Sequence, residues 1–194
     1  MSTTPVALIL GAGANVGHNV GLAFAAKGYK IALAARSVKE EESTPDQLLV
    51  KGDFSDPSSM VSIFDKVKAK LGLPHVVVYN GMSLACWPRL KISITNEREA
   101  GAVTPRDAKH PLGLALTDFN RDFAINTTTP FVAAQQAVDA FNQLPDTASK
   151  TFIYTGNCTN VSPIVGLMDL GIGKSATAHM IQCASEAYKD KGYK

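Results

Sequence analysis

The stretch Val6-Ala-Leu-Ile-Leu10, followed at once by Gly11-Ala-Gly13-Ala-Asn-Val-Gly17, restricts this chain more than any other part of it. A short unbroken apolar run is the pattern of a strand buried on both faces of a parallel sheet. Val16, Val20 and Phe24 then recur at helical spacing, and Gly28 stands where a helix C-cap glycine belongs. Lys30 to Ala35 reads as a second strand. A strand, a glycine loop, a helix and a strand in that order call for a parallel sheet with helical crossovers.

The alternation continues. Gln47 to Val50 is a third strand, with Asp56 as the next helix N-cap and Pro57 as its first residue. Met60, Ile63, Phe64, Val67 and Leu71 mark one face of that helix. Val76 to Tyr79 is a fourth strand and Thr151 to Tyr154 a fifth. A long helix is expected over Thr117–Leu144, kinked at Pro130, and a last one over Ile172–Lys191. The expected fold is α/β: a Rossmann-type, doubly wound parallel sheet in three layers, α/β/α, spanning residues 1–194 as one domain.

Composition excludes other classes. With 45% apolar and 19% charged residues, the chain has an ordinary globular make-up. A net charge of +2 without a basic stripe gives nucleic-acid binding no electrostatic support. No apolar run reaches the roughly 20 residues of a membrane span, and Met1 to Pro5 lacks a basic signal-peptide start. Cys86, Cys158 and Cys183 form no metal-binding spacing, and His18, His75, His110 and His179 share none either. An odd cysteine count without an export signal points to reduced thiols and a cytoplasmic location.

Two places break the rhythm. Residues 82–111 lack clean periodicity, where connections usually run to about 2–6 residues. Within them Gly81 to Ala100 reads as translated intron: its ends can be written with splice signals, and its whole-codon length keeps the reading frame. The alternative is a substrate lid. The second place is the end, Lys191-Gly-Tyr-Lys194, which repeats Lys27-Gly-Tyr-Lys30. The earlier copy leads into a strand, so further C-terminal strands are expected beyond this one.

A glycine turn between strand and helix lets backbone approach a pyrophosphate, and the helix N-terminus supplies N–H groups and partial positive charge. Such glycines also serve plain turns; their place at the first strand–helix junction is what favours a nucleotide. Selection for NAD would put a carboxylate at the end of the second strand. Ala34, Ala35, Arg36 and Ser37 stand there instead. An arginine suits a 2′-phosphate, so NADP(H) is expected over NAD(H); the competing reading is a solvated strand-end arginine.

With these residues the chain resembles the short-chain dehydrogenase/reductase family, in a fungal-looking branch. Gly11, Gly13 and Gly17 resemble its cofactor loop, with Asn15 where a middle glycine is usual. Asp53 resembles the aspartate beside the adenine, Asn80 the asparagine after the fourth strand, Asn126 the helix asparagine of the proton relay, and Lys174 the active-site lysine. The resemblance implies a cofactor site of Gly11, Gly13, Asn15, Val16, Gly17, Arg36, Ser37, Asp53, Phe54, Asn80 and Lys174. It also implies Lys174, Asn157 and Asn126 as the catalytic group, a carbonyl or alcohol substrate, and a homo-oligomer.

One departure stands out. The family's acid is a tyrosine four residues before the lysine, and Leu170 occupies that position. A leucine can neither give nor take a proton. Asn157 stands where the family has a serine. Tyr154, Asp169 and Lys174 itself are the substitutes to weigh, with Cys158 near the substrate side. The expected function is a carbonyl or alcohol oxidoreductase; the alternative is a non-catalytic dinucleotide-binding protein or redox-sensing subunit.

Overall fold

The computed structural model describes residues 4–13, 15–80, 103–104 and 107–194. Among them, β1 (Val6–Leu10), β2 (Lys30–Ala35), β3 (Gln47–Lys51), β4 (Pro74–Tyr79) and β5 (Thr151–Tyr154) pair in parallel in the order β3-β2-β1-β4-β5. The sheet is the one expected from the apolar runs. Chain order reverses between β1 and β4, which opens a crevice at the C-terminal ends of those two strands.

Side chains alternate between two buried faces. Val6, Leu8, Leu10, Val50, Val77 and Tyr79 lie against one helical layer, formed by Met60, Ile63, Phe64 and Val67 of α2 (Ser59–Lys70) and by Ala133, Ala137 and Phe141 of α4 (Thr129–Phe141). Ala7, Ile9, Ile31, Leu33, Val76 and Val78 meet Val20 and Phe24 of α1 (Val16–Ala25). This is the three-layer arrangement. Leu8 and Ile9 point to opposite faces and are both fully buried, each contributing roughly 1.5–3 kcal/mol of transfer free energy. Gly28 ends α1 at φ +82, a left-handed position that favours glycine.

Local details correct the sequence reading. Asp56 and Pro57 precede the helix rather than open it: α2 starts at Ser59 with Ser58 at its N-cap, and the Asp56 Oδ1 instead accepts the Ser58 N–H at 2.9 Å in a turn ahead of it. The long helix is divided rather than kinked. It comprises α3 (Leu116–Phe123), a π-turn (Ala124–Thr128) and α4. Pro130 sits in the first turn of α4, where a missing N–H is tolerated, so the distortion falls just before it. The last helix, α5 (Met168–Ala187), begins four residues before Ile172 and ends before Lys191. Gly171 and Gly173 weaken the helical signal at its start, each by about 1 kcal/mol of propensity. At Gly173 the reason is close packing: a Cβ there would lie 2.6 Å from the Asn126 Cβ.

At the outer edge of β5, the Lys194 N–H donates to the Lys150 carbonyl and the Phe152 N–H donates to the Lys194 carbonyl. Tyr193 packs its ring against Phe141 and Tyr188. The segment Gly81 to Ala100, read above as intron product or lid, lies outside the described residues.

Candidate functional site

The glycine turn is tied to both neighbouring strands. The Gly11 and Ala12 N–H groups both donate to the Ala34 carbonyl at the end of β2, at 2.9 and 3.1 Å. Gly11 has φ +89, a left-handed conformation. A Cβ on Gly17 would lie 2.5 Å from the Gly11 carbonyl oxygen and 2.6 Å from the Ala12 Cα, so only glycine lets α1 start this close to β1. Gly13 faces open space. Asn15 holds the N-cap position of α1 without a side-chain cap bond, and no acidic residue occupies the first turn. No side-chain cap or carboxylate competes with an anion for the positive end of α1, although the His18 N–H already donates to the Gly13 carbonyl at 3.0 Å.

Beside this turn, Asn80 joins the ends of β4 and β1. Its backbone N–H donates to the Leu10 carbonyl at 2.8 Å and its Nδ2 to the Gly11 carbonyl at 3.0 Å. Its Oδ1 is buried with no partner among the described residues. A buried acceptor left open at the crevice is costly unless a ligand fills it. That observation, with the tight Gly17 approach, fits a dinucleotide.

Arg36 and Ser37 follow β2 as exposed residues. Asp53 follows β3 and is exposed too. Its Oδ1 accepts the Ser55 N–H and hydroxyl, at 2.9 and 2.8 Å. These bonds hold the carboxyl below its usual range, with a smaller contribution from the Arg36 charge. Arg36 and Asp53 therefore lie close enough to feel each other. Phe54 differs from a surface contact: its ring is in the core, edge-on to Tyr79, and its carbonyl accepts the Thr129 hydroxyl. Only its backbone is left to serve a cofactor.

The reaction side is organised by the π-turn. The Thr129 N–H reaches back to Ala124, which deprives the Ile125 carbonyl of its helical donor. Pro130 has no N–H to offer Asn126. Side chains take both carbonyls. The Tyr79 hydroxyl donates to Ile125 at 2.7 Å. The Thr177 and Tyr154 hydroxyls donate to Asn126 at 2.7 and 3.2 Å.

Lys174, on α5, is fully buried. Its Nζ donates to the Thr155 carbonyl at 3.1 Å and lies 4.6 Å from the Tyr154 ring centroid. Burial pushes its ammonium down to about 8. Tyr154 thus stands between Lys174 and Asn126, touching one with its ring and the other with its hydroxyl. It is a poor acid: burial raises its phenol out of the physiological range, and its proton is committed to Asn126. Leu170, one turn before Lys174, is fully buried. Asn157 spends its Oδ1 on the Thr159 N–H and hydroxyl, while its buried Nδ2 has no partner among the described residues. The amide donor, not the acceptor, is left for a substrate oxygen.

Asp169 turns away from the crevice. Its Oδ2 accepts the Thr104 N–H at 3.2 Å, and the Thr104 hydroxyl donates to Asp122 Oδ2 on α3 at 2.7 Å. Cys183 is free and exposed. Sequence reading missed Thr177, Thr155 and the Thr104 link between Asp122 and Asp169. Asp and Thr within helices carry no periodic signal that would single them out.

A dehydrogenase-type nucleotide fold with a glycine turn, a switch-point asparagine and a buried lysine is what these residues build. The chain is 46% identical over 194 residues to short chain dehydrogenase/reductase dmxR12 of Cryptosporiopsis sp. (strain 8999), covering 99% of this chain and 74% of that one. It belongs to the short-chain dehydrogenase/reductase family. Among solved structures it superposes on the 3-ketoacyl-(acyl-carrier-protein) reductase from Brucella melitensis complexed with NADH with a TM-score of 0.78, at 15% identity over 99% of this chain and 73% of that one. ElxO with NADP bound matches with a TM-score of 0.74, at 19% identity over 99% and 71%. No protein-family model matches the chain. Among the described residues no helix is long and apolar enough to cross a membrane.

Proposed function

We propose that this protein is an oxidoreductase that binds NADP(H) in preference to NAD(H) and acts on a carbonyl or alcohol group of a small molecule. The observation that carries the reading is Lys174: a buried ammonium of lowered pKa, bonded to Thr155 at the C-terminal end of β5. Burying an ammonium is expensive, and strongly perturbed buried cations in a crevice cluster at functional sites.

The roles divide along the crevice. Gly11, Gly13, Asn15, Val16 and Gly17 hold the pyrophosphate on the N-terminus of α1. Arg36, with Ser37, pairs with the 2′-phosphate through charge-assisted bonds. Asp53 and the Phe54 backbone border the adenine, and the open Asn80 Oδ1 accepts from the nucleotide. A bound nicotinamide supplies or accepts the hydride. The Asn157 Nδ2 donates to the substrate oxygen. Lys174 polarises that oxygen and holds the proton that Leu170 cannot. Asn126 keeps Tyr154, and through it Lys174, in place. The likeness to reductases gives the non-catalytic reading no support.

Calorimetric titration with NADPH and NADH tests the cofactor half, followed by a panel of carbonyl substrates. NADPH should bind at least about tenfold tighter, and Arg36→Asp should reverse the order. Equal affinities in the unmodified protein would show that Arg36 does not select the phosphate.

A further inference from the structure

Among the described strands β3 stands at an outer edge of the sheet, where a strand ordinarily offers a row of open N–H groups to any other strand. Its centre, Leu48, Leu49 and Val50, is apolar, which adds to the hazard. Parallel pairing fixes which groups face out. The Ile31 N–H donates to the Asp46 carbonyl, and the Gly52 N–H donates to the Ala35 carbonyl. The even-numbered residues of this stretch therefore face β2, and Gln47, Leu49 and Lys51 turn their N–H groups outward. All three are taken by the connection from β2. The Lys51 N–H donates to Glu40 Oε1 at 2.8 Å, the Leu49 N–H to Ser43 Oγ at 3.0 Å, and the Gln47 N–H to Thr44 Oγ1 at 3.1 Å. The Thr44 N–H donates back to the Gln47 carbonyl at 2.8 Å.

Parallel strands are usually joined by a crossover helix. Residues 36–46 form only a 3₁₀ turn, Glu40–Glu42, and the chain then runs back beside β3 in the opposite direction. The turn is held at several points. The Lys66 ammonium of α2 donates to Glu40 Oε1 at 2.8 Å, and the Ser43 hydroxyl donates to the Glu40 carbonyl at 2.7 Å. The Lys66 bond, then the Lys51 N–H, hold the Glu40 carboxyl below the usual carboxylate range. Glu41 and Glu42 are exposed on the same turn and set like charge against a second copy. We propose that residues 40–44 are an edge strap, which occupies every outward N–H of β3 and so keeps the sheet from adding a strand of a second copy of this chain. This inference stands apart from the nucleotide and the reaction.

The double variant Glu40→Ala with Ser43→Ala tests it on the full chain. Amide hydrogen exchange followed by NMR reads the strap, and sedimentation velocity reads assembly. In the dilute double variant, exchange at Leu49 and Lys51 should be at least about tenfold faster than in the unmodified chain. On concentration its mass should grow beyond that of the unmodified chain, and protection at the same two amides should return. Glu40→Gln keeps an acceptor oxygen for Lys51, and Lys39→Ala removes a pair with Glu42 that touches no N–H of β3. Both should match the unmodified chain in exchange and mass. If the double variant fails to fold, Ser43→Ala alone makes the test at Leu49. Unchanged exchange on loss of the acceptors would show that the strap does not hold the edge. Opened amides with an unchanged mass at every concentration would show that it keeps no strand out. Either result overturns the proposal.

Discussion

Pro130 leaves the Asn126 carbonyl without its helical donor, and Thr177 and Tyr154 donate to it instead, at 2.7 and 3.2 Å. A residue with no N–H thereby converts a helix interior into a docking point for α5 and β5. Replacing it with alanine restores a competing donor. In Pro130→Ala the Tyr154 hydroxyl should lose its bond first, being the longer of the two. A downfield-shifted Tyr154 hydroxyl signal in the unmodified protein that is lost in the variant would record this.

The contact between α5 and the π-turn leaves no room for a side chain at Gly173. Gly173→Ala places a Cβ 2.6 Å from the Asn126 Cβ. Overpacking of this kind costs about 1–3 kcal/mol, less the small gain in helix propensity. Urea denaturation should show a lower midpoint with an unchanged slope. An unchanged midpoint would mean that α5 can move off the π-turn without cost.

Lys174 makes stability depend on pH in the alkaline range. Its ammonium is held near 8 in the folded chain against 10.5 for an ordinary lysine. Between these values the unfolded chain binds the additional proton, so stability rises with pH from about 8 to 10.5 and levels off above. The full rise is roughly 3 kcal/mol. Below 8 both states are protonated and the burial penalty is complete. Lys174→Met should flatten the curve, as read by denaturation at stepped pH, and should also weaken nucleotide binding.

In the proposed reaction Leu170 supplies no acid. Leu170→Tyr introduces a phenol one helical turn from a lysine of lowered pKa. A positioned acid contributes about 10²–10⁴-fold. Turnover with an accepted carbonyl substrate should rise toward that range, and the gain should disappear in the double variant with Lys174→Met. A gain that survives loss of Lys174 would separate the phenol from the lysine.

Much of this was legible from residues alone. The order of strands along the chain, the glycine turn, the strand-end position of Arg36, and the spacing of Leu170 and Lys174 depend on interactions within a few residues: strand burial, left-handed glycines and the helical repeat. Those signals are local, so they survive without knowledge of the fold. What only the tertiary structure decided was where the polar side chains end. The Tyr154 hydroxyl turns toward Asn126, the Asn157 carbonyl turns to Thr159, and Asp169 takes the Thr104 N–H. Asn157 is claimed by a turn two residues on, whereas the partners of Tyr154 and Asp169 are far away in sequence and depend on how closely the elements dock. That distance is set by Gly173 against Asn126 and by the carbonyls the π-turn leaves to other donors, and no local pattern encodes it.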